Sequence, residues 1–155
     1  MQQAGTAVRV GNPPGTRPPL RTRVTWTLLF VVFTLHTALV VAQPFLAGAF
    51  LNGSLEAMKS GHAPNADAIT LTALLLVVPA AILFWRPGRG PGRIALAAPV
   101  LFLAEGTQVG LGYAHQLALH IPLGVAIVGT VVAVEVWLIR WRVRLGRRAR
   151  GEVVA

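Results

Sequence analysis

Leu117-Ala-Leu-His120-Ile-Pro-Leu-Gly124 places a histidine in the first turn of an apolar run that continues to Trp141. A helix over that run exceeds the roughly 20 residues needed to cross a bilayer. Working outward from it, three further apolar runs appear at about 24–50, 64–85 and 93–113, separated by Gly, Pro and polar residues. A second histidine, His62, stands at the mouth of the 64–85 run much as His120 does at the last one. The chain therefore reads as all-α, a four-helix transmembrane bundle made of two pseudo-repeated helical hairpins.

Composition supports the bilayer as solvent. The chain has 155 residues, 54% of them hydrophobic, with a mean hydropathy of +0.63. Its formal charge of +9 would suggest nucleic acid in a soluble protein,. Here the arginines flank apolar runs, so the expected partners are the lipid bilayer and anionic headgroups, with no nucleic acid. The absence of cysteine excludes disulfides, thiolate ligands, iron–sulfur clusters and covalently attached heme,.

Residues 1–20 hold Pro13, Pro14, Pro18 and Pro19 and lack a periodic apolar pattern, which predicts a disordered tail,. Residues 21–142 form the membrane domain, and 143–155 a basic tail. The first apolar run is too long for a signal-peptide core, so it is expected to stay as a helix. Residues 52–61 read as a polar loop, with Pro44 and Pro79 as kink positions,. Arginines cluster in the N-terminal tail, in Arg86-Pro-Gly-Arg89-Gly-Pro-Gly-Arg93 and in the C-terminal tail. The positive-inside rule then puts both termini in the cytoplasm, and Trp26, Trp85, Trp137 and Trp141 belong to the same interface. The abundance of arginine over lysine suggests a bacterial cytoplasmic (inner) membrane. No G-x-x-x-x-G-K-[ST], H-E-x-x-H or G-x-S-x-G pattern is present,.

The two hairpins align as a diverged repeat, with Gln43-Pro-Phe-Leu-Ala-Gly48 opposite Glu105-Gly-Thr-Gln-Val-Gly110. His62 and His120 become equivalent positions at one depth on facing helices. Paired imidazoles so placed are suited to the two axial positions of a b-type heme iron. Histidines at helix mouths equally serve as caps or meet water, and both readings stand on residue type. His115, in the short outer link, is expected to be solvated.

His36 lies about twelve residues into its helix, roughly 18 Å along, and Glu105 at a comparable depth of the third helix. Intramembrane ionisable residues are costly and face the interior with a partner. Gln43 and Gln108 extend these strips. The four residues read either as structural polar contacts or as a cofactor, quinone or proton site. Asn65, Asp67 and Gln116 are candidate supports of the histidines, and Glu135 is expected to pair with Arg140 or a neighbouring arginine at the cytoplasmic surface.

Over about residues 24–141 the pattern resembles one four-helix half of the heme A synthase family, and related small single-bundle bacterial membrane proteins. The resemblance rests on His62, on Leu119-His120-Ile-Pro-Leu-Gly124 and on the Ala42-Gln43 to Gly48 segment. It implies His62 and His120 as heme ligands. Lys59 and Ala63 stand where the family has glutamate and arginine, and the chain supplies one bundle where the synthase has two. The expected function is therefore heme b binding for electron transfer or heme handling, rather than the synthase's oxidoreductase activity. A quinone or redox partner and a homo-oligomer fit this reading. A cofactor-free accessory subunit and a small proton-linked transporter are the alternatives.

Overall fold

The computed structural model describes residues 19–53, 55–86 and 90–149. The first helix, α1, spans Leu20–Leu51, α3 spans Gly92–Tyr113 and α4 spans Leu117–Ala149. The second, α2, is one helical run over residues 55–85, interrupted by two π-helical turns at Met58–His62 and Ala73–Val77. All four are long and apolar enough to cross a membrane, and the described residues contain no strand. This is a four-helix, multi-pass membrane architecture.

Three boundaries differ from the sequence reading. Residues 55–61 are helical rather than loop, so His62 sits inside α2 and not at its mouth. The basic segment from 143 to 149 continues α4, because its leucine, arginines and Ala149 are good helix formers that outweigh the single Gly146, and no proline interrupts them,. Helix α1 begins at Leu20, inside the expected tail. Residues 1–18 and 150–155, which carry the rest of the two expected tails, Ser54 of the expected loop and residues 87–89 of the basic segment between the second and third helices lie outside the described residues.

Prolines explain the π turns. Pro64 and Pro79 each follow a π segment by two residues. A proline removes one N–H and its ring clashes with the carbonyl four residues back. Those carbonyls belong to Ser60 and Leu75, both within the π segments, where a widened turn moves them aside,.

The helices form a ring in which α1 and α3 each pack against α2 and α4, while the diagonal pairs make no close backbone approach. Burial on α1 recurs at Trp26, Leu29, Phe33, His36 and Val40, the three-and-four spacing of one helical stripe,. Ala73, Ala80 and Ala81 of α2 and Ala98 of α3 keep facing backbones close,. The outward face is as apolar as the core: Val31, Leu35, Leu75, Leu96, Val100 and Val125 are all exposed, as lipid contact requires,. Threonine hydroxyls bond back to their own helix, for example Thr70 to the Ala66 carbonyl and Thr107 to that of Leu103, leaving no free hydroxyl donor there,.

Candidate functional site

Two polar contacts cross the bundle, one on each diagonal. On the first, fully buried His36 of α1 meets Glu105 of α3, with His36 Nε2 2.8 Å from Glu105 Oε1. Thr72 of α2 completes the group through its Oγ1, 3.1 Å from His36 Nδ1. The Thr72 hydroxyl hydrogen is directed to the Ala68 and Ile69 carbonyls, so the oxygen is left to accept and Nδ1 carries a proton,. The remaining short contact, Nε2 to Oε1, holds one more shared proton. The pair is then neutral overall, either as imidazolium and carboxylate or as imidazole and carboxylic acid, which is how it tolerates burial.

On the second diagonal, His62 of α2 faces His120 of α4. Their ring centres are 6.5 Å apart, with the planes at 68°. His120 Nδ1 is 2.9 Å from the Gln108 carbonyl, which can only accept. Nδ1 therefore bears the hydrogen and Nε2 keeps its lone pair, the tautomer a metal ligand needs. The Gln108 amide in turn donates to the His120 carbonyl at 2.8 Å, locking helix and ring together.

The same lock recurs in the first hairpin. Gln43 Nε2 donates to the His62 carbonyl at 3.0 Å. Gln43 thus corresponds to Gln108 rather than to Glu105, three residues from the alignment read off the sequence. The copies differ at one support: Asn65 donates to both Gln43 Oε1 and the Leu39 carbonyl, whereas its counterpart in α4 is Leu123. Gln108 Oε1 is accordingly buried without a partner.

Between the diagonals lies a cavity of about 310 Å³, the low end of the range for small-molecule sites,. Gln43, His62, Glu105, Gln108 and His120 all line it, in a wall otherwise made mostly of Val, Ile, Ala and Pro. His36 stands behind Glu105 and does not line it. Buried side-chain atoms without partners among the described residues gather in two places. Trp26 and Trp141 Nε1 lie at the arginine end, while His62 Nδ1, Glu105 Oε2 and Gln108 Oε1 belong to residues of the cavity wall.

Other sequence candidates separate from this site. Asp67 and Gln116 are exposed, and Gln116 bonds only weakly to the Ala114 carbonyl at 3.4 Å. His115 is exposed and has φ of 55°, because it occupies the left-handed position that ends α3: Gln116 N–H reaches the Leu111 carbonyl and His115 N–H that of Gly112,. Glu135 does not pair with Arg140. Five residues turn a helix by about 140°, so the two side chains diverge, and antiparallel packing brings Thr34 and Thr37 of α1 to the carboxyl instead,. Thr72, which the sequence reading missed, was detectable as one of two hydroxyls, with Thr70, in the apolar run of α2.

A metal held by two imidazoles with metal–nitrogen bonds of about 2 Å separates the ring centres by about 6 Å. The observed separation is 6.5 Å, close to that distance. No group of three or more His, Cys, Asp or Glu side chains able to hold a metal occurs among the described residues. No protein-family model, curated protein or solved structure matches the chain.

Proposed function

We propose that the chain is a bacterial inner-membrane protein that binds b-type heme between His62 and His120, with both termini in the cytoplasm, and serves electron transfer or heme handling. The observation that carries this reading is the pair of facing imidazoles, 6.5 Å apart at the wall of an apolar cavity, with the His120 tautomer already set. The resemblance to one half of the heme A synthase family points the same way.

When bound, heme supplies one-electron chemistry at its iron. The chain's own residues provide the rest. His62 and His120 present imidazoles from opposite helices, and the Gln43 and Gln108 amides fix the turns that carry them. The apolar wall excludes water, which favours retention of an apolar macrocycle,.

Absorption spectra of the detergent-purified protein, oxidised and dithionite-reduced, test the proposal. A Soret band and reduced α-band are expected in the wild type, with loss of heme or an altered spectrum in both His62→Ala and His120→Ala. His115→Gly, which relieves a left-handed backbone away from the site, should retain the wild-type spectrum,. Absence of a Soret band in protein produced with ample heme would sink the proposal and favour a cofactor-free accessory subunit.

A further inference from the structure

The His36–Glu105 pair has no part in holding the imidazoles, yet it occupies the most expensive position in the bundle for an ionisable group. Three observations bear on its use. Glu105 is 3% exposed and lines the cavity. Its Oε1 is taken by His36, while its Oε2 is buried with no partner among the described residues. Hydrogen-bond counting gives the pair one shared proton, so the free oxygen leaves capacity for a second. Glu105 also lies one turn of α3 from Gln108, which grips His120, and therefore close to any charge placed between the imidazoles,.

Adding an electron inside a low-dielectric bundle is costly unless a positive charge arrives with it. We propose that the His36–Glu105 pair is that compensating site, taking up one proton for each electron delivered to the heme held by His62 and His120. The inference rests on the heme reading. In balance, were heme bound, a one-electron donor would supply the electron that reduces it, and one proton from the aqueous phase would add to Glu105. The pair passes from imidazolium and carboxylate to imidazolium and carboxylic acid, and the net charge within the bundle is unchanged.

Other groups are badly placed for the role. From α1 the facing titratable group is His36, already part of the pair, and α2 contributes the neutral Thr72 behind it. His62 of α2 and His120 of α4 are committed as ligands under this reading, and Asp67 of α2 is exposed. Glu135 of α4 is held by Thr34 and Thr37 at the α1–α4 seam. The arginines of α1, α3 and α4 lie beyond the tryptophans at the far end, where Arg142 covers Trp26 and Arg93 covers Trp137.

Because the reduced state binds the extra proton, the midpoint potential should fall as pH rises. A one-electron, one-proton couple moves by about 59 mV per pH unit, the equivalent of a tenfold change. Potentiometric titration of the heme-loaded protein across neutral pH tests this, alongside a redox difference infrared spectrum. The wild type should approach that slope and gain a carboxylic acid C=O stretch on reduction. Glu105→Gln should flatten the slope and remove the band, Glu105→Asp should keep both, and Asp67→Asn should match the wild type. A pH-independent potential in wild type, or an unchanged slope in Glu105→Gln, would overturn the proton assignment while leaving the ligands standing. Failure to bind heme is read earlier, from the absorption spectrum, and removes both proposals together.

Discussion

At the scale of single residues, this interior is decided by a few polar atoms that must find one another in an apolar solvent. His36 and Glu105 are on helices whose backbones make no close approach, and each is the other's principal satisfaction. Truncating one leaves a buried polar orphan, and truncating both leaves an apolar gap. In a double-mutant cycle of His36→Ala and Glu105→Ala, a coupling of about 1–2 kcal/mol is expected in a membrane-protein stability assay. Strict additivity would show that the contact carries no energy. Gly124 is a second sensitive point, since a Cβ there would stand 2.8 Å from Gln108 Nε2. Gly124→Ala should push the amide off the His120 carbonyl, costing about 1 kcal/mol and weakening heme retention. Gly129→Ala on the same helix, where a Cβ meets nothing within 4 Å, should be neutral or stabilising by about 0.5–1 kcal/mol,. Equal effects of the two substitutions would remove the steric account.

At the scale of elements, α2 is where sequence and structure part. The apolar runs disclosed four spans because hydropathy and length are enough for that,. Equal depth of His36 and Glu105 also followed from counting rise per residue, and so did the facing of His62 and His120 from the repeat. The π turns did not follow, because an added backbone residue shifts the angular phase without changing composition. With 3.6 residues per turn, each such insertion rotates everything beyond it by about 100°. The same blindness to phase misplaced the Gln43 equivalence by three positions and paired Glu135 with Arg140. Phase also makes a prediction. Deleting one residue within Ala73–Val77 should restore an even helical repeat and rotate His62 away from His120 while α2 remains helical,. Undiminished helical circular dichroism together with lost heme is the expected result; retained heme with a wild-type spectrum would show that the register of this turn does not set the imidazole.

At the scale of the whole molecule, the two ends of the bundle differ in chemistry. At one end Arg142 lies over Trp26 and Arg93 over Trp137, each 5.3 Å from the ring centre, and Trp85 lies beside Gly92. Arginine above an indole is suited to an interface where the ring meets acyl chains and the cation meets phosphate. At the other end stand Asn52 of the first link, Glu56 and Lys59 at the start of α2, and His115 and Gln116 of the last link, a mixed polar surface with little net charge. Anionic lipid in the cytoplasmic leaflet attracts each nearby arginine by about 1 kcal/mol, and translocating such segments is correspondingly disfavoured. The arginine end is therefore predicted to face the cytoplasm and the end near His62 and His120 the outer aqueous phase. The chain lacks cysteine, so single introduced thiols report without background. Asn52→Cys and Arg144→Cys both fall at exposed positions, one at each end. A membrane-impermeant maleimide applied to intact cells should label Asn52→Cys and leave Arg144→Cys unmodified until the membrane is opened. The reverse pattern would invert the molecule, and with it the side of the membrane to which His62 and His120 lie nearest.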